Sequence, residues 1–562
     1  MAATAWRAWG DEAFAEARAS GRPLLLLLGA EWCRFCSALE QGVLREPDVA
    51  AALAHRFVPV RADKDRHPEV DARYRRGGWP TLAIVAADGT LQAGGAALSD
   101  HEVRALVTGR APARSARPAA FTPAIVERVA QAVLDGFDAR HGGFGTGQKF
   151  PHAETLDFAL LYAEKTRNPA FREIVQKTLT EMADGQLADP VEGGFFRYCA
   201  TRDWRQPCTE KLLSVQAGLL RNYLEGWQLF GRPEFRKAAQ KTLSYVEHVL
   251  RDPATGAWFS GQEADDDYYR LSERARADRK LPRVDRTIYA SSVCAAISAL
   301  LKAGVVLDDE TATRHAQDGA RFLADTLWSP GQGIYHSFDG ERHILGRLAD
   351  QVYALRALLH VIQYTGENRW LAVVEDLIAT ITKKQSPAHG GFYDQRDDDS
   401  KFAQMKRRQS TLLENGLMAE ALVRAHCLTA KREYLELAGR TLQAFCADYP
   451  LYGYFTAEYG RAVELFFRPP LRVFVVARAG MTGRSELLDA ARRTYAPSKL
   501  VLALDPLSDA ELLACHGFPE RAAATAFVCV SGACTAELSD PAALPTAMAQ
   551  AEALRSRDEV TA

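Results

Sequence analysis

The chain has 562 residues, of which 47% are hydrophobic and 25% charged, and its formal net charge at pH 7 is -2. This composition is typical of a soluble globular protein, and the length predicts several domains because single cores stop growing near about 250–300 residues. The near-zero charge argues against a general affinity for nucleic acid or anionic membranes. No apolar run approaches about 20 residues and the N-terminus has no apolar leader, so we expect neither a membrane span nor a secretory signal.

Strands and helices alternate over the first hundred residues. Residues 24–28 are continuously apolar and predict a buried strand. A helical pattern over 38–44 follows it, and residues 57–63 and 82–85 predict two further strands. This order predicts a small α/β domain over residues 1–110.

The motif Trp32-Cys33-Arg34-Phe35-Cys36 stands between the first strand and the helix. Two cysteines three apart fit one helical turn, and a helix N-terminus lowers the pKa of the first thiol. A proline, Pro80, precedes the third strand, where a thioredoxin-like site has a cis X-Pro bond against its sulfurs. We therefore expect a thioredoxin-like domain with Cys33 as nucleophile, Cys36 as resolving thiol, and Pro80 and Trp32 beside them.

Other interpretations of the cysteine pair stay open. It could be half of a zinc site, but neither a second CxxC nor a suitably spaced histidine pair follows, so no metal is predicted. It could also be a structural disulfide, or two thiols without a redox partner. The ten cysteines are too few for a disulfide framework. We therefore expect a reducing, cytoplasmic location.

A Pro/Ala/Arg-rich stretch over 111–120 predicts a linker, and a repeat follows it over 121–468. Long helical patterns alternate with short turns and with longer loops that carry glycine followed by an aromatic residue. Six helical hairpins of this kind predict an (α/α)6 toroid whose loops line a funnel, with an open solenoid as the alternative. The six loops contain Gly142-Gly143-Phe144, Gly193-Gly194-Phe195, Gly256-Ala257-Trp258, Gly331-Gln332-Gly333, Gly390-Gly391-Phe392 and Gly453-Tyr454-Phe455.

The pattern changes again over 469–562. Apolar runs at 471–477, 500–504 and 525–530 and a helix over 485–495 predict a small α/β segment. Cys529 and Cys534 could pair there, but we favour the interpretation that they are two small residues flanking a turn.

The order of motifs resembles a thioredoxin-domain-containing family related to spermatogenesis-associated protein 20 and bacterial YyaL. The resemblance covers nearly the whole chain, and it implies a thioredoxin-like domain and a six-hairpin toroid like that of sugar epimerases and glycosidases. It implies no settled reaction. The motifs that carry it are Cys33-Arg34-Phe35-Cys36, Gly77-Gly78-Trp79-Pro80, Gly142-Gly143-Phe144-Gly145 with Lys149-Phe150-Pro151, Gly193-Gly194-Phe195 with Arg197-Tyr198, Glu210-Lys211-Leu212-Leu213, and Ala526-Phe527-Val528-Cys529 with Cys534.

The chain departs from this family at three motifs. The family usually has Cys-His-Trp-Cys-His, whereas Arg34-Phe35 and Ser37 stand at the variable positions here. It usually has His-Phe where this chain has Cys208-Thr209, and Trp-Asn-Gly where this chain has Ser291-Ser292-Val293. The histidines that could act as local bases or metal ligands beside the cysteines are therefore missing.

Three functions follow as hypotheses. The first is a thiol–disulfide protein without a cofactor, which acts on a protein or small-molecule disulfide and whose toroid binds a ligand or client. The second is a carbohydrate-active enzyme, an epimerase or hydrolase with its site in the funnel, and the third is a non-catalytic scaffold. Sugar hydrolysis needs paired carboxylates, and epimerisation needs proton transfer on both faces. The funnel candidates are Glu210, Lys211, Asp265, Asp350, Tyr198 and Phe195.

Overall fold

The computed structural model describes residues 6–29, 34–64, 66–74, 79–96, 98, 100–109, 120–386, 390–394, 410–530 and 533–557. Contacts within the chain divide it into two compact units. One comprises Met1–Ala119 with Tyr393–Thr411, and the other comprises Ala120–Phe392 with Leu412–Ala562.

The first unit has the predicted thioredoxin-like topology. Its five strands lie in the order β1-β3-β2-β4-β5, with β1, β2 and β3 parallel and with β4 antiparallel to both β2 and β5. The elements are β1 (Arg7–Ala8), α1 (Asp11–Ser20), β2 (Leu24–Gly29), α2 (Arg34–Gln41), α3 (Pro47–Arg56), β3 (Val58–Asp63), α4 (Pro68–Tyr74), β4 (Thr81–Val85), β5 (Leu91–Ala96) and α5 (Asp100–Thr108).

The central strand β2 is continuously apolar because both of its faces are covered. Side chains alternate between the two faces of a strand. Leu24, Leu26 and Leu28 pack into a cluster with Phe14, whereas Leu25 and Leu27 pack into a second cluster on the other face. The buried strand predicted from the run of leucines is confirmed.

The helices of the second unit form a closed toroid. In chain order, inner helices α7, α9, α13, α15, α17 and α19 alternate with the outer helices, each inner helix contacts the next, and α19 contacts α7, which closes the ring. The helices are α6 (Ala124–Gly136), α7 (Ala153–Thr166), α8 (Pro169–Asp184), α9 (Leu213–Phe230), α10 (Pro233–Tyr245), the short α11 (Asp266–Tyr269) and α12 (Glu273–Ala277), α13 (Ala290–Leu307), α14 (Glu310–Phe322), α15 (Leu348–Thr365), α16 (Leu371–Thr382), α17 (Leu412–Thr429), α18 (Arg432–Gln443) and α19 (Ala457–Phe467).

The loops that run from outer to inner helices share one geometry, so the repeat is structural as well as sequential. An antiparallel bridge closes five of them, at Phe137–Phe144, Ala188–Phe195, Arg251–Trp258, Trp328–Ile334 and Gln385–Phe392. Short strands extend some loops: β6 (Tyr198–Cys199), β7 (Pro207–Cys208), β8 (Lys211–Leu212), β9 (Gly261–Gln262), β10 (Val284–Asp285), β11 (Ile288–Tyr289), β12 (Trp328–Ser329), β13 (Gly333–Phe338) and β14 (Arg342–Leu345).

An amide side chain from the inner helix holds three of these loops in place. The Gln216 side chain accepts from the Phe195 amide at 2.8 Å and donates to its carbonyl at 2.6 Å. Gln351 holds Ile334, and Asn415 holds Phe392, in the same two-bond arrangement. These bonds satisfy buried backbone groups that the loop cannot pair by itself.

The last part of the second unit is the predicted α/β segment. Its sheet has the order β16-β15-β17-β18, with β15 and β16 parallel and the other neighbours antiparallel. The elements are β15 (Arg472–Val476), α20 (Arg484–Arg493), β16 (Leu500–Leu504), α21 (Ala510–His516), β17 (Thr525–Val530), β18 (Ala533–Leu538) and α22 (Leu544–Arg557).

One expectation about this unit needs correction. Cys529 and Cys534 form a disulfide, because they are cross-strand partners in the hairpin of β17 and β18; the favoured interpretation as two separate small residues was wrong. Within the described part of the chain, one helix, Ala290–Leu307, is long and apolar enough to cross a membrane by length and composition alone. It is an inner helix of the toroid and is mostly buried against α9, α14 and α15.

Candidate functional sites

The elements of the predicted thiol site meet at one end of the first sheet, where β2 ends and β4 begins. The strand β2 ends at Gly29 and α2 begins at Arg34, directly after Cys33. Thr81 pairs with Leu28, so Pro80 lies at the same end of the sheet as the segment that follows β2. The Trp79–Pro80 peptide bond is cis, as the thioredoxin-like pattern predicts. Trp32 and Cys33 themselves lie outside the described residues.

Cys36 and Trp79 both make close contacts at this end of the sheet. The Cys36 side chain is buried, and a β-carbon added at Gly29 would lie 2.4 Å from its sulfur. The Trp79 indole donates a hydrogen bond to the Asp71 carboxylate at 2.6 Å, and the Lys64 ammonium lies 5.1 Å from the centre of the Trp79 ring. The position of Cys36 in the first turn of α2 fits the role of a shielded, resolving thiol.

The toroid has a cavity of about 150 Å³ at the N-terminal ends of α7, α9, α13 and α15. The outer-to-inner loops lead into these helix ends, so the cavity lies on the predicted funnel face. Its lining consists mostly of small residues, alanines and serines, with one acid, one tyrosine and two arginines. The lining side chains include Glu154, Ser214, Arg221, Ser291, Ser292, Ser298, Ala349, Tyr353 and Arg356.

Lys211, predicted to point into the funnel, is instead buried in the wall of the loops. Its ammonium donates to the Asp189 carboxylate at 2.6 Å, and both side chains are fully buried. Arg276 donates to the same carboxylate at 2.8 and 3.0 Å. Burial alone would raise the pKa of Asp189, but the two cations hold it below its usual value. This pair therefore stabilises the loop structure.

Four other candidates also contact the loops, and none is among the described residues that line the cavity. Glu210 is one-third exposed and lies 3.9 Å from the Arg197 guanidinium. Asp265 caps α11 by accepting a hydrogen bond from the amide of Tyr268. The rings of Tyr198 and Phe195 are both buried; they stack on Phe150 and Tyr223, with ring centres 4.6 and 5.2 Å apart.

Among the funnel candidates, Asp350 is the acid that pairs with a histidine, His336. Its side chain is fully buried in the first turn of α15, and its Oδ2 lies 2.9 Å from Nδ1 of His336 on β13. Burial raises the pKa of Asp350, and the neighbouring His336 opposes the rise. The adjacent Ala349 lines the cavity, whereas Asp350 and His336 are not among the described residues of its lining.

A second histidine lies directly before another inner helix. His152 precedes α7, next to the cavity residue Glu154, and is surrounded by aromatic rings. Burial, with a smaller effect from Lys149, lowers the pKa of His152 to about 4. It is therefore neutral at pH 7, and its surroundings disfavour protonation.

Sequence reasoning missed a cluster of buried charges below the cavity. Arg221 and Arg356 extend from the cavity toward the middle of the toroid. Neighbouring inner helices supply further arginines and three acids. Two of these acids, Asp157 and Glu420, form ion pairs with arginines of the cluster. A charged residue within an otherwise apolar inner helix was the signal that could have identified them. The members are Asp157, Arg221, Arg356, Glu420, Arg424, Glu458 and Arg461.

Comparisons with known proteins agree with the two-part architecture. Residues 2–108 match the family described as "Protein of unknown function, DUF255", with the short name Thioredox_DsbH. Residues 214–394 match the family described as N-acylglucosamine 2-epimerase. The first match covers the thioredoxin-like unit and the second covers the middle of the toroid.

The chain is also similar to several curated proteins. Human spermatogenesis-associated protein 20 is 21% identical over 713 residues, covering 96% of this chain and 89% of that protein. An uncharacterised protein of Caenorhabditis elegans is 27% identical over 289 residues, but the alignment covers 38% of its length. The rat form of spermatogenesis-associated protein 20 is 27% identical, again over 38% of its length.

Solved structures resemble the toroid at low identity. A sugar epimerase from a ruminal bacterium is 12% identical with a TM-score of 0.49, covering 61% of this chain and 98% of that one. Cellobiose 2-epimerase from Spirochaeta thermophila is 16% identical with a TM-score of 0.47, covering 56% of this chain and 83% of that one.

Proposed function

Taking the chain as a relative of spermatogenesis-associated protein 20, we propose that its toroid binds a carbohydrate-like ligand in the cavity at the inner-helix N-termini. The observation that carries this proposal is the cavity lining, in which serines, an acid, a tyrosine and arginines converge. Hydroxyl-rich ligands are recognised by such donors and acceptors, placed on a rigid scaffold. The match of residues 214–394 to N-acylglucosamine 2-epimerase supports the same ligand class.

We further propose proton-transfer chemistry at this cavity, with His336 as the base. In the proposed arrangement an ionised Asp350 accepts a hydrogen bond from Nδ1 of His336, which leaves the lone pair of Nε2 to take a proton. His152 and His336 stand at α7 and α15, which are the first and last of the four helices that line the cavity. A base beside the ligand would suit removal of a proton next to a carbonyl.

The test is solvent deuterium uptake at carbon by a panel of reducing sugars, followed by NMR with the full chain. We expect uptake into at least one sugar and its loss in His336→Ala, while ligand binding persists. His343→Ala is a matched control, because His343 also pairs with an aspartate, Asp339, but is 44% exposed on the neighbouring strand. Uptake that survives His336→Ala would refute the role of this residue.

A second activity is favoured by the sequence motif Cys33-Arg34-Phe35-Cys36 and by Pro80, which lies at the end of the sheet where α2 begins. We propose thiol–disulfide exchange there. The Cys33 thiolate attacks a substrate disulfide and releases one thiolate, and Cys36 then attacks the mixed disulfide. The substrate leaves reduced, and the two cysteines are oxidised to a disulfide.

Insulin reduction tests this second activity. We expect Cys33→Ser to abolish turnover and Cys36→Ser to trap a mixed disulfide with the substrate. Cys515→Ser is the control, since Cys515 is exposed but lies outside the thioredoxin-like unit. Equal reduction by the native chain and Cys33→Ser would exclude this function.

A further inference from the structure

A second, more enclosed cavity lies at the opposite ends of the inner helices. Its volume is about 40 Å³, which is room for more than one water molecule. The C-terminal halves of α9, α13 and α15 form one side, and the segment that joins α20 to β16 forms the other. The cavity therefore sits where the toroid meets the C-terminal α/β segment.

The lining of this cavity is strongly basic. Glu225 is the acid among its described lining residues, and it pairs with Lys302 at 2.9 Å. Asp157, Glu420 and Glu458 approach some of the cations from outside the lining. Asp489 also acts on Arg492, so five acids face seven basic side chains, which are Arg221, Lys302, Arg356, Arg424, Arg461, Arg492 and Lys499.

Several donors in the lining have no hydrogen-bond partner within the protein. Arg356 is 6% exposed, and its Nε and Nη2 both lack a hydrogen-bond partner. Its third nitrogen, Nη1, lies 4.0 Å from Oε1 of Glu458. Nη2 of Arg492 and the hydroxyl of Tyr495 are also buried and unpartnered, as is one acceptor of the lining, Oε1 of Gln363. Unpaired buried donors and uncompensated charge are costly, so a binding partner with negative charge is expected here.

We infer that this cavity binds a small inorganic anion, of the size of chloride or phosphate, which links the toroid to the C-terminal segment. The anion would accept hydrogen bonds from Arg356 on α15 and from Arg492 and Tyr495 on the C-terminal side. Arg492 already bridges the two parts by donating from Nε to the Gln363 carbonyl at 3.1 Å. The inference does not require the proposed carbohydrate ligand, although Arg221 and Arg356 line both cavities.

The test uses the full chain at constant ionic strength, with sodium gluconate replaced stepwise by chloride, sulfate or phosphate. We expect the melting temperature to rise saturably with at least one of these anions, and the preferred anion to distinguish a halide site from an oxyanion site. Arg356→Gln should weaken the apparent affinity about tenfold, because hydrogen bonds to charged groups contribute about 1.5–3 kcal/mol. The control Arg432→Gln changes an arginine that is 87% exposed and should leave the response unchanged.

Tyr495→Phe keeps the test decisive if Arg356→Gln does not fold. This variant removes one oxygen that has no partner within the protein. A purely structural role predicts unchanged or greater stability at every anion concentration. An anion site predicts a weaker response to the preferred anion alone. A flat response to all three anions, or an identical response of Tyr495→Phe and the native chain, would overturn the inference.

Discussion

The buried pair of Lys211 and Asp189 gives the sharpest prediction about stability. Lys211→Met keeps the length of the side chain but removes its ammonium, which donates to Asp189 and to the Gly193 carbonyl at 2.9 Å. Arg276 would still pair with Asp189, so the loss should be smaller than for a carboxylate left alone. Breaking a buried pair costs about 3–5 kcal/mol, and we expect about 3 kcal/mol for this variant.

Asp189→Asn should cost more than Lys211→Met, because it leaves two buried cations, Lys211 and Arg276, without their shared carboxylate. The double variant should cost less than the sum of the two single variants, since neither partner is then left charged and alone. Lys431→Met is the control, because Lys431 pairs with Glu375 at an exposed position.

The assay is urea unfolding of the full chain and these four variants, monitored by the circular dichroism signal of the helices. A cost below about 1 kcal/mol for Lys211→Met, as expected of exposed pairs, would refute the reasoning. Additive costs in the double variant would show that the two side chains act independently.

Three further predictions concern the same unit. Arg202 and Lys149 hold the pKa of Asp138 below its usual value against the effect of burial. The stabilisation that the ionised Asp138 provides is therefore complete above about pH 4 and is lost on acidification. The difference in melting temperature between the native chain and Asp138→Asn should shrink from pH 7 to pH 3. Gln216→Leu leaves the amide and carbonyl of one loop residue buried without a partner and should cost about 3 kcal/mol, measured by urea unfolding; an unchanged midpoint would contradict the loop-holding role. Mass spectrometry after alkylation under non-reducing conditions should leave Cys529 and Cys534 unlabelled, and labelling of both would contradict their disulfide.

The strands and helices could be predicted from local patterns because the spacing of apolar residues along a segment shows which of its faces is buried. The leucines of β2 alternate between two apolar clusters, and the glycine–aromatic loops close by the same bridge. The cis bond before Pro80 was also predictable, because the tryptophan–proline step stands before a strand that pairs with β2.

Contacts between distant parts of the chain were not predictable. Lys211 comes just before an inner helix, but its partners Asp189 and Arg276 come from two other loops. Cys529 and Cys534 pair because their strands form a hairpin whose register brings them opposite each other. The pairing of Asp350 with His336 likewise depends on how β13 lies against α15.

The central claim is that the toroid cavity binds a carbohydrate-like ligand, and calorimetric titration of mono- and disaccharides tests it most directly. The full chain is compared with Ala349→Phe, which places a ring in the cavity lining, and with Ala549→Phe, which adds the same ring at an exposed position of α22. We predict saturable binding of at least one sugar by the native chain and by Ala549→Phe, and its loss in Ala349→Phe. Equal binding by all three proteins, or no binding of any sugar by the native chain, would contradict the claim.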